Sequence, residues 1–194
     1  MYNKRFILAL AVGGLLATAT VHADQPTGWF ANTNLGTAHY KAHLDGVGSG
    51  TESDTAFMVN AGYRDERILG FEVGYTNLGS VAANDGAGSR AKLSADGWNL
   101  GANGHFKLSD RWFLSARGGA FQWKLRAKAT LVDEDGAQTV RGNTQSLDWY
   151  AGVGTGYDID AHWGVGANFD YYKMAKQGLD LGTRVFSVSA EYRF

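Results

Sequence analysis

Between residues 57 and 76 the chain switches between bulky apolar and small or polar side chains at every step. Phe57, Val59, Ala61 and Tyr63 alternate with Met58, Asn60 and Gly62, and Leu69, Phe71, Val73 and Tyr75 alternate with Gly70, Glu72, Gly74 and Thr76. A period of two sends successive side chains to opposite faces of an extended strand. The polar turn Arg64-Asp65-Glu66-Arg67 between the two runs makes them a hairpin. One face carries large apolar and aromatic groups; the other carries glycine, Asn60 and Glu72. A soluble sheet would bury the first face and wet the second, whereas a membrane barrel would turn the first to lipid and the second to a lumen.

The same alternation recurs along the chain. It predicts strands over 28–40, 95–106, 112–128, 147–157, 163–171 and 186–194, which with the hairpin makes eight. In the fourth, Trp98, Leu100, Ala102 and Phe106 oppose Asn99, Gly101, Asn103 and His105. In the sixth, Trp149, Ala151, Val153, Thr155 and Tyr157 oppose Tyr150, Gly152, Gly154 and Gly156. In the seventh, Trp163, Val165, Ala167, Phe169 and Tyr171 oppose Gly164, Gly166, Asn168 and Asp170. Each predicted strand is close to the length that crosses a bilayer when tilted.

The connections decide between lipid and water. Short turns (64–67, 107–110, 158–161) alternate strictly with long polar segments (41–54, 80–93, 129–145, 174–182) that read as loops. All short turns therefore fall at one end and all long loops at the other, which is the asymmetry of outer-membrane barrels with short periplasmic turns. Aromatic or large apolar residues flank the short turns (Tyr63, Ile68, Phe106, Trp112, Tyr157, Trp163), and Tyr75, Trp98, Trp149 and Tyr171 stand near the other end, so two interfacial girdles are expected. A soluble barrel of the lipocalin kind is the competing reading. Its outer face would here be unusually poor in lysine and glutamate, and Gly28-Trp29 does not reproduce the Gly-x-Trp start of that class.

Composition agrees. No apolar run of about eighteen residues follows the N-terminus, so a helix-spanning protein is excluded, and alternation hides a barrel from that test. One proline among 194 residues suits paired strands, and the lack of cysteine rules out a disulfide scaffold. Residues 1–23 read as a signal peptide, with Lys4 and Arg5 ahead of an apolar segment over 6–16 and Val21-His22-Ala23 at the cleavage point. The barrel domain is then 24–194. Removal of Lys4 and Arg5 takes the formal net charge from −1 to −3, too small a charge to indicate a nucleic-acid partner.

At this point the residues resemble a family. GFEVGYTNLG (70–79), preceded by AGYRDERIL, is similar to the second and third strands of OmpA-type outer-membrane proteins; 110–123, with Arg117-Gly118-Gly119, resembles their fifth strand, and FSVSAEYRF (186–194) their closing strand. The resemblance spans the whole chain after residue 23. It implies an all-β, eight-stranded antiparallel up-and-down transmembrane β-barrel in the outer membrane of a Gram-negative bacterium, exported through the periplasm; a monomer is expected. The barrel-assembly machinery would read the terminal aromatic, with Phe186, Tyr192 and Phe194 as the aromatic positions of that strand. OmpA also carries a peptidoglycan-binding domain after its barrel; this sequence ends at Phe194, so that tethering role is not expected. Glu72 matches one of the acids in the family's charged lumen, but the other gate positions here hold Asn103, Gly156 and Asn168, so the charge-switched pore does not carry over, although Arg117 can pair with Glu72.

The candidate site is thus a set of inward charges: Glu72, Arg117, Asp170, Glu191 and Arg193. They read either as a plug of satisfied ion pairs, which an interior just filled by side chains favours, or as the gate of a narrow pore for small solutes or ions. Gly118-Gly119 leaves the later register of strand five open: without a bulge Lys124, Arg126 and Lys128 point outward, and with one Trp123 and Leu125 do. An outward basic stripe reads as a contact for lipopolysaccharide phosphates or, more plainly, as a solvated loop root. Catalysis on lipid A, known in barrels of this size, would need a histidine with Ser or carboxylate partners. His39, His43, His105 and His162 form no such pattern, although His39 and His43 lie near Asp45 and Ser49. Asp133-Glu134-Asp135-Gly136 lacks calcium-loop spacing, so no metal, cofactor or catalytic residue is expected. The external loops, on a rigid scaffold, are the expected contact surfaces for host or phage ligands.

Overall fold

The structure, a computed structural model, describes residues 27–44, 48–65, 69–84, 90–133, 136–176 and 179–194. The segment read from the sequence as a signal peptide (1–23), Glu66, Arg67 and Ile68 of the first turn, Asp45, and Glu134-Asp135 of the acidic loop lie outside the described residues. The strands are β1 (Gly28–Leu44), β2 (Gly48–Arg64), β3 (Leu69–Asn84), β4 (Arg90–Lys107), β5 (Trp112–Asp133), β6 (Gly136–Asp158), β7 (Trp163–Lys176) and β8 (Leu179–Arg193). They pair antiparallel in sequence order, and β1 closes on β8 from Phe30↔Arg193 to His43↔Asp180. Closure leaves the bilayer-level ladder without an edge, the only way a sheet can stand in lipid.

The faces follow the alternation. Phe71 is 50% exposed and Val73 45%, while Glu72 between them is fully buried. Leu100, Val153 and Val188 point outward in the same way, and Asn60, Asn103 and Asp170 point inward. Apolar outside and polar inside is the arrangement for lipid. Two aromatic bands flank this belt. Trp29–Tyr63, Trp112–Tyr157 and Trp163–Tyr192 pair at the short-turn end, with ring centroids at 5.4, 5.4 and 4.9 Å. Tyr75–Trp98 and Trp149–Tyr171 pair at the other, at 5.4 and 5.3 Å. Trp149 and Tyr157 are eight residues apart on β6, about 27 Å of extended chain, which when tilted comes close to the apolar band of such barrels.

The segments read as long loops are mostly strand. The β5–β6 ladder continues to Asp133↔Gly136, and β1–β2 to Leu44↔Gly48. A polar antiparallel ribbon satisfies its own backbone groups without any apolar face, so its composition resembles that of a loop. The loop-length asymmetry is thus an asymmetry of hairpin length.

Beyond the outer aromatic band the barrel splits. The β2–β3 ladder stops at Phe57↔Asn77 and the β6–β7 ladder at Tyr150↔Tyr172, while every other ladder continues. The strands part into two sheets, β7-β8-β1-β2 and β3-β4-β5-β6, and Tyr40, Leu78, Trp123, Leu125, Met174 and Leu181 fill the space between them. A sandwich of two sheets packed on their inner faces therefore caps the barrel. Each seam is bridged by an aspartate. Asp54 of β2 accepts the Ser80 N–H of β3 at 2.6 Å, and Asp148 of β6 accepts the Ala175 N–H of β7 at 2.8 Å.

Two glycine positions have structural reasons. β3 carries a bulge between Asn77 and Ser80, where Gly79 has φ +84° and donates its N–H to Asn77 Oδ1 at 2.8 Å. Gly118-Gly119, by contrast, carries no bulge: pairing runs unbroken on both sides of β5. A Cβ on Gly119 would collide with the Leu100 carbonyl oxygen and Gly101 Cα, so the glycine gives clearance rather than a register change. Lys124, Arg126 and Lys128 accordingly point outward, and Trp123 and Leu125 are buried.

Candidate functional site in the lumen

The inward side chains form polar layers under the apolar cap. At the short-turn end, Arg64 is held by three bonds. Its Nη1 and Nη2 donate to Glu191 Oε1 and Oε2 at 2.7 and 2.8 Å, and its Nε donates to Asn103 Oδ1 at 2.6 Å. Its guanidinium also stacks 3.9 Å over the Phe30 ring. Arg193 donates from Nε to the same Glu191 Oε1 at 3.0 Å and from Nη2 to Asp158 Oδ1. His105 stacks on Phe113 at 4.1 Å, and its Nε2 stands 3.7 Å from Asp158 Oδ2. Bidentate guanidinium–carboxylate pairs combine charge with fixed geometry, and here five groups from β2, β4, β6 and β8 tie the wall together.

Above this layer, Glu72 accepts Asn103 Nδ2 at 2.8 Å and the Tyr150 hydroxyl at 2.7 Å. Arg117 donates from Nε and Nη2 to the two oxygens of Asp170, both at 2.7 Å. Arg117 therefore pairs with Asp170, and the expected Arg117–Glu72 ion pair is not formed. The pairing register sets Asp170 opposite Gly152, and Gly152 in turn opposite Arg117; with no side chain between, the two groups meet directly.

An asparagine belt crosses the lumen at the same height. Asn168 donates to Asn34 Oδ1 (3.2 Å), Asn34 and Asn60 both donate to Asn32 Oδ1 (3.1 and 2.9 Å), and Asn99 donates to Asn60 Oδ1 (2.9 Å). A cavity of about 30 Å³ lies between the Arg64–Glu191 and Arg117–Asp170 pairs, bordered by Asn32, Asn34, His105, Ser115 and Asn168. It has room for little more than water.

All five charges taken from the sequence face the lumen, in two groups: Glu191 and Arg193 near the short turns, and Arg117 with Asp170 higher up, with Glu72 between them. Arg64 and Asp158, which the sequence reading places in turns, are lumen residues, buried at 3% and 5% exposure. The signal was present: one further step of the alternation from Gly62 reaches Arg64, and from Gly156 reaches Asp158. Asp160 is a turn residue, and the Trp163 and His162 N–H groups bonded to it hold its carboxyl below the usual carboxylate range.

The closing-strand aromatics separate. Tyr192 and Phe194 pack together at 5.0 Å on the short-turn rim, where the Phe194 N–H donates to Trp29 O at 3.0 Å. Phe186 lies farther up, against Phe169 at 4.8 Å. His39 packs by Phe186, His105 is in the lumen and His162 stacks on Tyr192, so these three do not share a site. Among the described residues no cluster of His, Cys, Asp and Glu could hold a metal.

Residues 7–194 match the model of the family described as outer membrane protein beta-barrel domain. Outer membrane protein A of Serratia marcescens is 24% identical over 207 residues, covering 100% of this chain and 56% of that protein. Outer membrane protein A of Yersinia pseudotuberculosis serotype I (strain IP32953) is also 24% identical, with 98% and 56% covered. The chain spans about half the length of these relatives. Among solved structures, Ail, the attachment invasion locus protein of Yersinia pestis, in complex with the heparin analogue sucrose octasulfate, has TM-score 0.58 at 16% identity, covering 86% of this chain and 99% of that one. Neisserial surface protein A has TM-score 0.58 at 19% identity, covering 87% and 98%. The outer membrane protease OmpT of Escherichia coli shares the fold at TM-score 0.53 and 11% identity, covering 90% and 99%.

Proposed function

Because the chain belongs to the outer membrane protein β-barrel family and resides in the Gram-negative outer membrane, we propose that it is a monomeric structural barrel. Its lumen is a plug, and its external hairpins are its contact surface. The observation that carries this is the filling of the lumen. The two ion-paired layers leave a gap of about 30 Å³, and the aromatic and aliphatic core of the cap, with Trp123 and Met174 fully buried, lies above them. An eight-stranded barrel has no interior to spare, and here its outer half is closed by apolar packing rather than by charges that can switch partners.

The external hairpins rise from a rigid wall, the placement that suits recognition loops. The sucrose octasulfate complex of Ail supports the idea that a barrel of this shape can present a ligand surface. The terminal Tyr192–Phe194 pair on the periplasmic rim fits reading by the barrel-assembly machinery. A signal peptide over 1–23 would deliver the chain to the periplasm. Catalysis on lipid A has less support, because His39, His105 and His162 stand in three separate surroundings.

A narrow pore is the second reading, and the charged and amide side chains that line the lower lumen, among them Glu72, Asn103 and Asp170, are what favour it. Planar-bilayer recording of the refolded protein separates the two. The plug predicts no reproducible open channel. Steady channels whose conductance changes in Glu72→Ala would establish the pore instead.

A further inference from the structure

Below the apolar cap the lumen is short of positive charge. Among the described residues its acids are Glu72, Asp158, Asp170 and Glu191, and its guanidinium groups are Arg64, Arg117 and Arg193. Asp170 takes both donors of Arg117, and Glu191 takes Arg64 on both oxygens and Arg193 on one. Glu72 accepts only the neutral Asn103 and Tyr150 donors, and Asp158 meets Arg193 through Oδ1 alone. Lys107 stands at the end of β4 and is partly exposed. Arginine keeps its proton in every state of a protein, so a group that gains and loses one must be sought among the others.

His105 is placed for it. Its Nε2 faces Asp158 Oδ2 at 3.7 Å, with the two side chains exposed by only 1% and 6%. Neither atom has a hydrogen-bond partner among the described residues. A buried polar atom without a partner is costly, and here two such atoms point at each other. At 3.7 Å they are beyond bonding reach; a closure of about 0.9 Å brings them to the length of a charge-assisted bond. The stack on Phe113 at 4.1 Å fixes the direction of the ring. The charged groups around His105 are Asp158 of β6, Arg64 of β2, and Glu191 and Arg193 of β8, while Arg117 of β5 borders the same small cavity. Of the carboxylates among them, Asp158 is the one with an oxygen left over.

We propose that His105 is the proton-binding residue of the lumen: it takes a proton on Nε2 from the short-turn side and closes on Asp158 Oδ2, latching β4 to β6. The proton comes from bulk water and returns to it, and only the N–H bond is made and broken. The imidazolium joins the chain Asp158–Arg193–Glu191–Arg64 and supplies the charge that the lumen lacks. Histidine is the side chain whose charge changes under mild acid, so the lower layer of the plug is latched in acid and unlatched at neutral pH. The inference rests on the plug reading and gives that plug a proton-controlled contact.

The test is a pH titration of the mature protein, refolded in neutral detergent with its histidine ring nitrogens labelled with nitrogen-15, between about pH 8 and pH 5. His105→Gln assigns the resonance. In the wild type, both His105 nitrogens are expected to become protonated toward the acid end, with an Nε2–H that exchanges slowly with water. In Asp158→Asn the midpoint should fall by about one pH unit or more, because the carboxylate that favours the cation is gone. His162→Gln, at the exposed rim, should leave it in place. A His105 that stays neutral throughout, or that titrates alike in wild type and Asp158→Asn, overturns the proposal. So does a Glu72 carboxyl that carbon-13 shifts show to be protonated at neutral pH beside a silent His105, which would put the proton on Glu72. If Asp158→Asn does not refold, the Asp158 carboxyl of the wild type is followed instead, and a shift that does not track the His105 midpoint overturns the proposal equally. Planar-bilayer conductance is recorded on the same wild-type samples. Open channels with an intact His105 titration defeat the plug and leave the proton site standing; silent bilayers without the titration defeat the proton site alone.

Discussion

Arg64 of β2 and Glu191 of β8 lie 127 residues apart in the chain and meet inside the barrel through two parallel bonds of 2.7 and 2.8 Å. β1 stands between their strands, and the pair reaches across it, stacked on Phe30. Removing one member of a buried pair leaves an uncompensated charge and costs about 3 to 5 kcal/mol. Arg193 still touches Glu191, so Arg64→Leu should fall near the lower end of that range. The expected result is a clear drop in the urea midpoint of the refolded barrel with little change in slope. A midpoint equal to wild type would mean that Arg193 alone satisfies Glu191.

Glu72 tests the middle layer. It is fully buried, and its described bonds are the two neutral ones from Tyr150 and Asn103. Glu72→Ala strands both donors, at about 1 to 3 kcal/mol. Because Trp123, Leu125 and Met174 still close the outer half, the variant should be less stable and still electrically silent in planar bilayers. Channels appearing in it would show that the polar layer, rather than the apolar cap, is the seal.

The barrel was legible because lipid forces a strict alternation, and Phe71-Glu72-Val73 displays it within three residues. The direction of each lumen charge followed from parity alone. Its partner did not, since whether Arg117 meets Glu72 or Asp170 depends on the register of β5, β6 and β7, where Gly152 leaves the opening. Arg64 and Asp158 were hidden by their position at strand ends, where a polar residue has the composition of a turn. The cap was hidden for the opposite reason. Trp123, Leu125 and Leu181 are bulky and face inward, against the small-inward rule that holds lower down, because above the seams the chain packs as a sandwich and needs an apolar interior.

Gly79 and Gly142 make a matched pair. Gly79 sits at φ +84°, and a Cβ there would lie 2.5 Å from the Thr55 carbonyl oxygen; a Cβ on Gly142 would meet nothing within 4 Å. Gly79→Ala should cost more than about 1 kcal/mol, because backbone and space both refuse it. Gly142→Ala, on the exposed β6 ribbon, should stay within about 0.5 kcal/mol of wild type. Urea titrations of both variants settle the contrast, and equal midpoints would count against a fixed bulge in β3.

The seam between β6 and β7 gives the last prediction. Asp148 Oδ2 accepts both the Trp123 Nε1–H and the Ala175 N–H, each at 2.8 Å, so one carboxylate oxygen ties the sandwich core to the strand across the gap. Trp123→Ala removes the largest fully buried side chain and should cost about 3 to 5 kcal/mol. Trp123→Phe keeps most of the packing and removes the N–H, at about 1 kcal/mol. Asp148→Ala acts on the seam itself. The Ala175 amide loses its acceptor there, while the ladder below, from Tyr150↔Tyr172 downward, is untouched. Hydrogen exchange should therefore quicken at Ala175 and its neighbours and stay slow at Tyr172. Loss of protection along the whole of β7 would instead mean that the seam bond holds the barrel wall, and unchanged exchange at Ala175 would mean that the sandwich core closes the gap without it.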